Sequence, residues 1–246
     1  MTRAVAFDLD GTLAESKSPL APEMGTLVTE LAAKMPVAVM SGGSYTQFQE
    51  QFLVGIPANG FHNLYLFPTS AAQCLVWRDN AWKYLYDNEL TPAEKTRVTQ
   101  TLDEALRETG LNKPPPQLWG AQTEDRGSQI SWSGLGQEAP IEAKQKWDPD
   151  KLKRGPLQKL LVERLPEFSV RANAMSTIDI TKKGITKAYG VRRWSEIINI
   201  PVGEMLYVGD ALFSGGNDEV VKETGIATRQ VAGPAQTAQV IEELLG

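Results

Sequence analysis

The chain has 246 residues, with a hydrophobic share of 41%, a charged share of 22% and a formal net charge of −5. That composition is ordinary for a globular chain able to bury a core, and its acidity excludes the basic footprint of a general nucleic-acid binder. The one cysteine, Cys74, excludes an internal disulfide and fits a reducing cytoplasm, and no apolar run approaches the ~18 residues of a membrane span.

Residues 4–8 (Ala-Val-Ala-Phe-Asp) form an apolar run ending in a carboxylate. This is the pattern of a buried parallel strand that delivers a polar group at its C-terminal end. Residues 22–34 carry Met24, Leu27, Val28, Leu31 and Ala32 at helical spacing, and Pro36 then breaks the pattern. A second buried strand over 37–40 runs into Ser41-Gly42-Gly43, and residues 44–53 read as a further helix. Strands follow at 64–67, 73–77 and 82–86, the last two joined by Asp79-Asn80 turn chemistry. Thr91-Pro92-Ala93-Glu94 opens a helix with a capping box, and Gly110 stops it. A strand at 128–133, a helix at 156–164 and strands at 168–172 and 177–180 come next. Lys151–Arg154 reads as an exposed basic stretch ahead of Gly155-Pro156, and Cys74 as a buried structural thiol. Beyond residue 183 the α/β texture returns, with a helix at 186–197, a buried strand at 205–208, a helix at 218–224, a strand at 226–228 and a helix at 234–245.

The β-α-β order implies a doubly wound, Rossmann-like α/β fold built on a parallel sheet. The simplest partition is a core of residues 1–87 plus 183–246, with a smaller α/β module inserted over 88–182.

Open α/β sheets bind ligands beyond the carboxyl ends of their strands. Three strands here end in polar groups: Asp8 and Asp10, then Ser41, then Asp210. Asp8 and Asp10 are two positions apart, and left bare they repel by about 4 kcal/mol at ~4 Å, so a dication or a shifted pKa is expected. Asp8 is the candidate nucleophile that would carry an aspartyl-phosphate. Asp10 is the candidate that gives a proton to the leaving oxygen and takes one from the acceptor. Thr12 is expected to orient Asp10 or bind a phosphate oxygen. Ser41, Gly42 and Gly43 precede a helix and are candidates for phosphate oxygens. Lys187 is expected to balance the carboxylates and contact the transferring group. The predicted metal set is Asp8, Asp10, Asp210, Asn217 and Asp218, and its hard oxygen donors suit Mg²⁺.

The loop Asp8-Leu9-Asp10-Gly11-Thr12, Ser41, Lys187 and Gly209-Asp210 to Asp218, in this order, resemble the haloacid dehalogenase superfamily, and the resemblance covers the whole chain. The insertion falls where one cap type of that superfamily falls, which implies a cap that sets substrate specificity. Within the superfamily, Gly209-Asp210 to Gly216-Asn217-Asp218 is similar to the metal loop of eukaryotic-type phosphomannomutases. Glu124 to Gly127 and Ser133 to Gly136 resemble that family's substrate-binding strand. The resemblance implies a phosphosugar substrate held by Arg126, Gln137 and Lys144, where the family has three arginines. It also implies that Thr177 and Asp179 bind the sugar and that Lys17 stands in for an arginine of the nucleophile loop. It further implies a small-molecule phosphosugar as partner and a homodimer formed through the cap. Mutase, sugar-phosphate phosphatase and a silent phosphosugar-binding scaffold stay open at this point, the last opposed by the presence of Asp8, Asp10 and Asp210.

Overall fold

The computed structural model describes residues 2–16, 18–172 and 175–246. It contains two compact units, one of Met1–Asp87 with Thr186–Gly246 and one of Asn88–Ile185.

The first unit is built on a seven-stranded sheet. Its strands are β1 (Ala4–Asp8), β2 (Val37–Met40), β3 (Leu64–Phe67), β4 (Gln73–Arg78), β5 (Ala81–Asp87), β10 (Met205–Gly209) and β11 (Ala227–Gln230). Their order is β11-β10-β1-β2-β3-β4-β5. The five strands from β11 to β3 are parallel, and β4 and β5 close the edge antiparallel. Asp79 and Asn80 turn that hairpin with φ of 50° and 58°, the left-handed conformation that Asn and Asp tolerate best.

The period of two along β1 sorts its side chains between two cores. Val5 and Phe7 pack with helices α1 (Pro22–Lys34) and α7 (Pro234–Leu245) through Val28, Leu31, Val240 and Ile241. Ala4 and Ala6 pack on the other face with Val191 and Trp194 of helix α6 (Lys187–Ile198). Helices on both faces of a mainly parallel sheet are the doubly wound arrangement the strand order implied. Since side chains alternate, Asp8 and Tyr207 lie on the α6 side of the sheet, which is the geometry the site uses.

Two segments depart from the expected elements. Residues 44–53 do not form one α-helix. A single α-turn, α2 (Tyr45–Gln47), passes into a π-turn over Phe48–Phe52 and a 3-10 turn over Leu53–Gly55. Phe48, Gln51 and Phe52 are buried along the π-turn. The segment after Asp218 is also a 3-10 helix, Glu219–Thr224, ended by left-handed Gly225.

The second unit holds an antiparallel sheet in the order β6-β7-β9-β8, made of Thr123–Asp125, Gln129–Ser133, Thr177–Lys182 and Phe168–Arg171. Helices α3 (Pro92–Glu108) and α5 (Arg154–Arg164) cover one face. There Ile130, Trp132, Ile178, Ile180, Phe168 and Val170 meet Val98, Leu102, Leu157 and Leu161. Alternation sends Ser131 and Asp179 to the opposite face, where Ser131 Oγ donates to Asp179 Oδ1 at 2.7 Å. Thr91 caps α3 with the expected capping box, its hydroxyl accepting from Glu94 N. Helix α4 (Ile141–Trp147) follows Pro140 and was not legible in the sequence. Residues 183–185 belong to this unit, with Lys183 N donating to Glu167 O at 3.2 Å and Ile185 N to Lys182 O at 3.1 Å.

The basic run 151–154 is corrected at its last member. Lys151, Leu152 and Lys153 are exposed, but Arg154 is buried and begins α5 two residues before Pro156. Its Nε donates to Asp148 Oδ2 at 2.9 Å, and Asp148 also accepts from Lys153 N and Arg154 N at 2.9 and 3.1 Å. One buried carboxylate thus both neutralises the arginine and satisfies two orphan amides at the helix start.

Candidate active site

β1 lies between β10 and β2, so Asp8, Asp210 and Ser41 emerge side by side from three neighbouring strands. The backbone turns at once after Asp8. Leu13 N and Ala14 N both donate to Leu9 O at 3.0 Å, and Gly11 N donates to Ala14 O at 2.8 Å. Gly11 has φ of 79°, and a Cβ there would stand 2.7 Å from Asp210 Oδ2, so only glycine allows both the turn and the approach of the second strand's carboxylate.

Asp8 is 3% exposed and accepts a charge-assisted bond on Oδ1 from Lys187 Nζ. Lys187 is the first residue of α6, whose cap is Thr186, the Oγ1 of which accepts from Tyr189 N at 3.3 Å. Its ammonium also donates to Asp218 Oδ1 at 2.6 Å, so one buried cation bridges two carboxylates. Asp218 is fully buried and takes two further donors, Tyr207 Oη on Oδ1 at 2.7 Å and Ala211 N on Oδ2 at 3.3 Å. The loop before it closes on itself, Asp218 N reaching Ala211 O at 3.2 Å and Lys222 Nζ reaching Leu212 O at 2.6 Å.

Asp8, Asp210 and Asp218 each bring an oxygen within 4.8 Å of the others. Burial raises the Asp8 carboxyl well above the ordinary carboxylate range; Lys187 pulls it down, Asp218 and Asp210 push it up, and the rise prevails. Asp210 is also raised, by burial and by Asp218. Burial works against the charge of Lys187, yet Asp218 and Asp8 outweigh it and its ammonium is held more firmly than an ordinary lysine. Three acidic groups against one lysine leave net negative charge in a mostly buried place. A hard dication fits that donor set, since it would neutralise carboxylates whose burial otherwise favours protonation. Asp210 also lines an open cavity of about 430 Å³ together with Gln230, Val231, Ala232 and Gln236.

The other predicted residues of the first unit divide as follows. Asp10 is not in the carboxylate trio. Its Oδ1 accepts from Gln51 Nε2 at 3.0 Å and its Oδ2 from Ser41 Oγ at 3.4 Å. Thr12 serves Asp210 rather than Asp10, with Asp210 N donating to Thr12 Oγ1 at 3.0 Å and the hydroxyl standing 3.5 Å from Asp210 Oδ1. Ser41 Oγ accepts from Gly43 N at 3.0 Å, so that amide is engaged within the loop. Gly42 lies between them, and Asn217 is half-buried beside Asp218. Lys17 lies outside the described residues.

In the second unit, Arg126, Gln137 and Lys144 come together. Arg126 Nε and Nη2 donate to Glu124 Oε2 at 2.9 and 2.7 Å, and Nη2 also to Gln137 Oε1 at 3.2 Å. Gln137 Nε2 donates to Gln122 O and Ser131 O, both at 3.2 Å, and Lys144 Nζ reaches Gln137 O at 3.5 Å. Glu124, Ser131 and Asp179 occupy one rung across the sheet. Thr177 is half-buried, and its carbonyl accepts from Arg154 Nη1 at 3.2 Å.

The sequence reading missed Gln51 and Tyr207. Tyr207 had a usable signal, since alternation along 205–208 puts it on the face of Asp8. Gln51 had one too, as a polar residue at core spacing with Phe48 and Phe52.

No family model matches the chain. A phosphomannomutase of Spinacia oleracea is 25% identical over 247 residues, covering 97% of this chain and 94% of that protein. Among solved structures, an IMP-bound Plasmodium falciparum IMP-nucleotidase superposes with TM-score 0.68 at 13% identity, over 99% of this chain and 68% of the other. A haloacid dehalogenase-like hydrolase of Bacteroides thetaiotaomicron superposes with TM-score 0.66 at 16% identity, over 99% of this chain and 100% of the other. The chain therefore has the haloacid dehalogenase fold, and its resemblance to phosphomannomutases extends along nearly its whole length. With a phosphomannomutase among its relatives along nearly its whole length and an acidic trio at the strand ends, the chain is an enzyme similar to phosphotransferases and phosphatases. Among the described residues no helix is long and apolar enough to cross a membrane.

Proposed function

We propose that this enzyme transfers a phosphoryl group from a hexose phosphate by way of an aspartyl-phosphate on Asp8, as a phosphomannomutase does in converting mannose 6-phosphate to mannose 1-phosphate. The observation that carries the reading is the buried Asp8, bonded to Lys187 and grouped with Asp210 and Asp218 within 4.8 Å. In the first step an Asp8 oxygen attacks phosphorus, the bond to the sugar oxygen breaks, and Asp10 gives that oxygen a proton. In the second, Asp10 takes the proton of the acceptor hydroxyl as its oxygen attacks phosphorus and the bond to Asp8 breaks. Lys187 stays bonded to Asp218 throughout and offers its remaining protons to the phosphoryl oxygens. Asp8 and Asp210 would hold Mg²⁺ with Asp218 beside them, and the ion when bound neutralises charge on the carboxylates and the phosphoryl group. The second unit supplies recognition of the sugar phosphate through Arg126, Lys144, Thr177 and Asp179.

A second reading, hydrolysis to the free sugar, is favoured by one observation. Arg126 is paired with Glu124 and bonded to Gln137, an uncharged residue, so little cationic capacity remains to retain a bisphosphate while it turns around. Incubation with mannose 1-phosphate, with and without a hexose bisphosphate activator, separates the two. Isomerisation without free phosphate supports the mutase, and stoichiometric phosphate release supports the phosphatase. Absence of Mg²⁺-dependent turnover on a broad phosphosugar panel contradicts both. A cytoplasmic setting and a homodimer belong to the same proposal.

A further inference from the structure

Gln51 is 7% exposed on the π-turn, between the fully buried rings of Phe48 and Phe52. Burying an amide among apolar neighbours costs about 1–3 kcal/mol unless it is hydrogen-bonded, so the use made of its donor matters. Gln51 Nε2 donates to Asp10 Oδ1 at 3.0 Å. The residue is fixed at its other end as well, its carbonyl accepting from Leu20 N at 2.7 Å. Leu20 follows the nucleophile loop, so both bonds tie the π-turn to the segment that carries Asp8 and Asp10. Phe48, Gln51 and Phe52 form the inward face of a segment whose regular α-helical bonding is interrupted, and π-turns of this kind concentrate at functional sites. The local irregularity therefore has a consequence at Asp10.

We propose that Gln51 is a positioning residue for the proton transfers of Asp10, an inference that rests on the phosphotransfer reading above. An amide N–H donor on Oδ1 keeps that oxygen an acceptor. Oδ2 takes the longer, 3.4 Å bond from Ser41 Oγ, a hydroxyl that can turn to accept instead, so the proton given to the leaving oxygen is then carried on Oδ2. Without the amide, Oδ1 is no longer marked as the acceptor, and the proton is shared between the two oxygens. The cost falls on the steps that need a proton delivered to a particular place and spares binding and nucleophilic attack.

The test compares two substrates in the first turnover. A hexose phosphate needs a proton on its departing oxygen, whereas p-nitrophenyl phosphate releases a stable anion without one. In Gln51→Leu, first-turnover phosphorylation by the hexose phosphate is expected to fall about 10- to 100-fold with KM unchanged, a part of the ~10²–10⁴-fold that a whole general acid contributes. The nitrophenolate burst is expected to stay within about threefold of wild type. Gln51→Met keeps the length of the side chain and removes the donor without adding a charge, and is expected to show the same selectivity, which covers the case in which Gln51→Leu does not fold. Equal losses on both substrates, or no loss on either, overturn the positioning role. Asp10→Asn in the same assay separates this from the parent reading. If it too is unselective, the general acid–base role of Asp10 fails; if it is selective while the Gln51 variants are not, only the role of Gln51 fails.

Discussion

Replacing Lys187 by methionine keeps the length of the side chain and removes the one cation that bridges Asp8 and Asp218. At 2.6 Å and an effective dielectric near 20, its attraction to Asp218 alone is roughly 6 kcal/mol, part of which offsets the desolvation of the ammonium. Breaking a buried pair and leaving its partner uncompensated typically costs about 3–5 kcal/mol. For a chain of this size that is a fall in Tm of about 6–20 °C for the transition of the first unit. The variant site carries one more negative charge, so Mg²⁺ is expected to raise its Tm more than that of wild type. Turnover is expected to fall about 10²–10³-fold, the loss seen when one donor to a developing anion is removed. Thermal melts in EDTA and in Mg²⁺, read beside turnover, check all three outcomes. A variant that melts within a degree of wild type and gains nothing extra from Mg²⁺ would refute the bridging role given to Lys187.

Other outcomes follow from the same geometry. Asp8 and Asp210 bind protons more tightly folded than unfolded, so the metal-free protein should lose stability as pH rises above the ordinary aspartate range. Mg²⁺ should remove most of that loss, and urea midpoints with and without the ion at rising pH measure the widening gap. Tyr207→Phe removes one donor from a buried carboxylate and should cost about 1–3 kcal/mol in urea unfolding, with a fall in kcat larger than any change in KM. Asp148→Asn should destabilise the second unit by about 3–5 kcal/mol at neutral pH. Burial opposes the ionisation of Asp148, but the amides of Lys153 and Arg154 and the Arg154 guanidinium hold its pKa below the usual value, so its contribution is present above that value and the difference between variant and wild type should shrink as pH falls. Burial pushes the Cys74 thiol up to about 12, so iodoacetamide at mild alkaline pH should label it only in the unfolded chain.

Much of this was legible because buried parallel strands announce themselves as apolar runs, and because Asp8, Ser41 and Asp210 stand at the ends of such runs. The capping box at Thr91 and Glu94 fixed one helix start by local chemistry alone. Residues 44–53 were harder, since Phe48 and Phe52 fit an α-helix as well as a π-turn and only the packing against Leu20 and Asp10 selects between them. Arg154 read as solvated because its partner Asp148 lies six residues back across a turn with no periodicity. The bond of Thr12 to Asp210 was not legible because the residue that meets it is 198 positions distant. The pairing of Arg126 with Glu124 did not follow from their spacing, since residues two apart on a strand share a face without implying a bond.

The claim on which the rest depends is that Asp8 becomes covalently phosphorylated. Rapid acid quench after mixing with a ³²P-labelled hexose phosphate, followed by borohydride reduction and peptide mapping, measures it directly. The account predicts label on the protein in the first turnover, mapped to Asp8, released by hydroxylamine and absent in Asp8→Asn. Turnover with no labelled protein at any quench time, or undiminished turnover in Asp8→Asn, would contradict it.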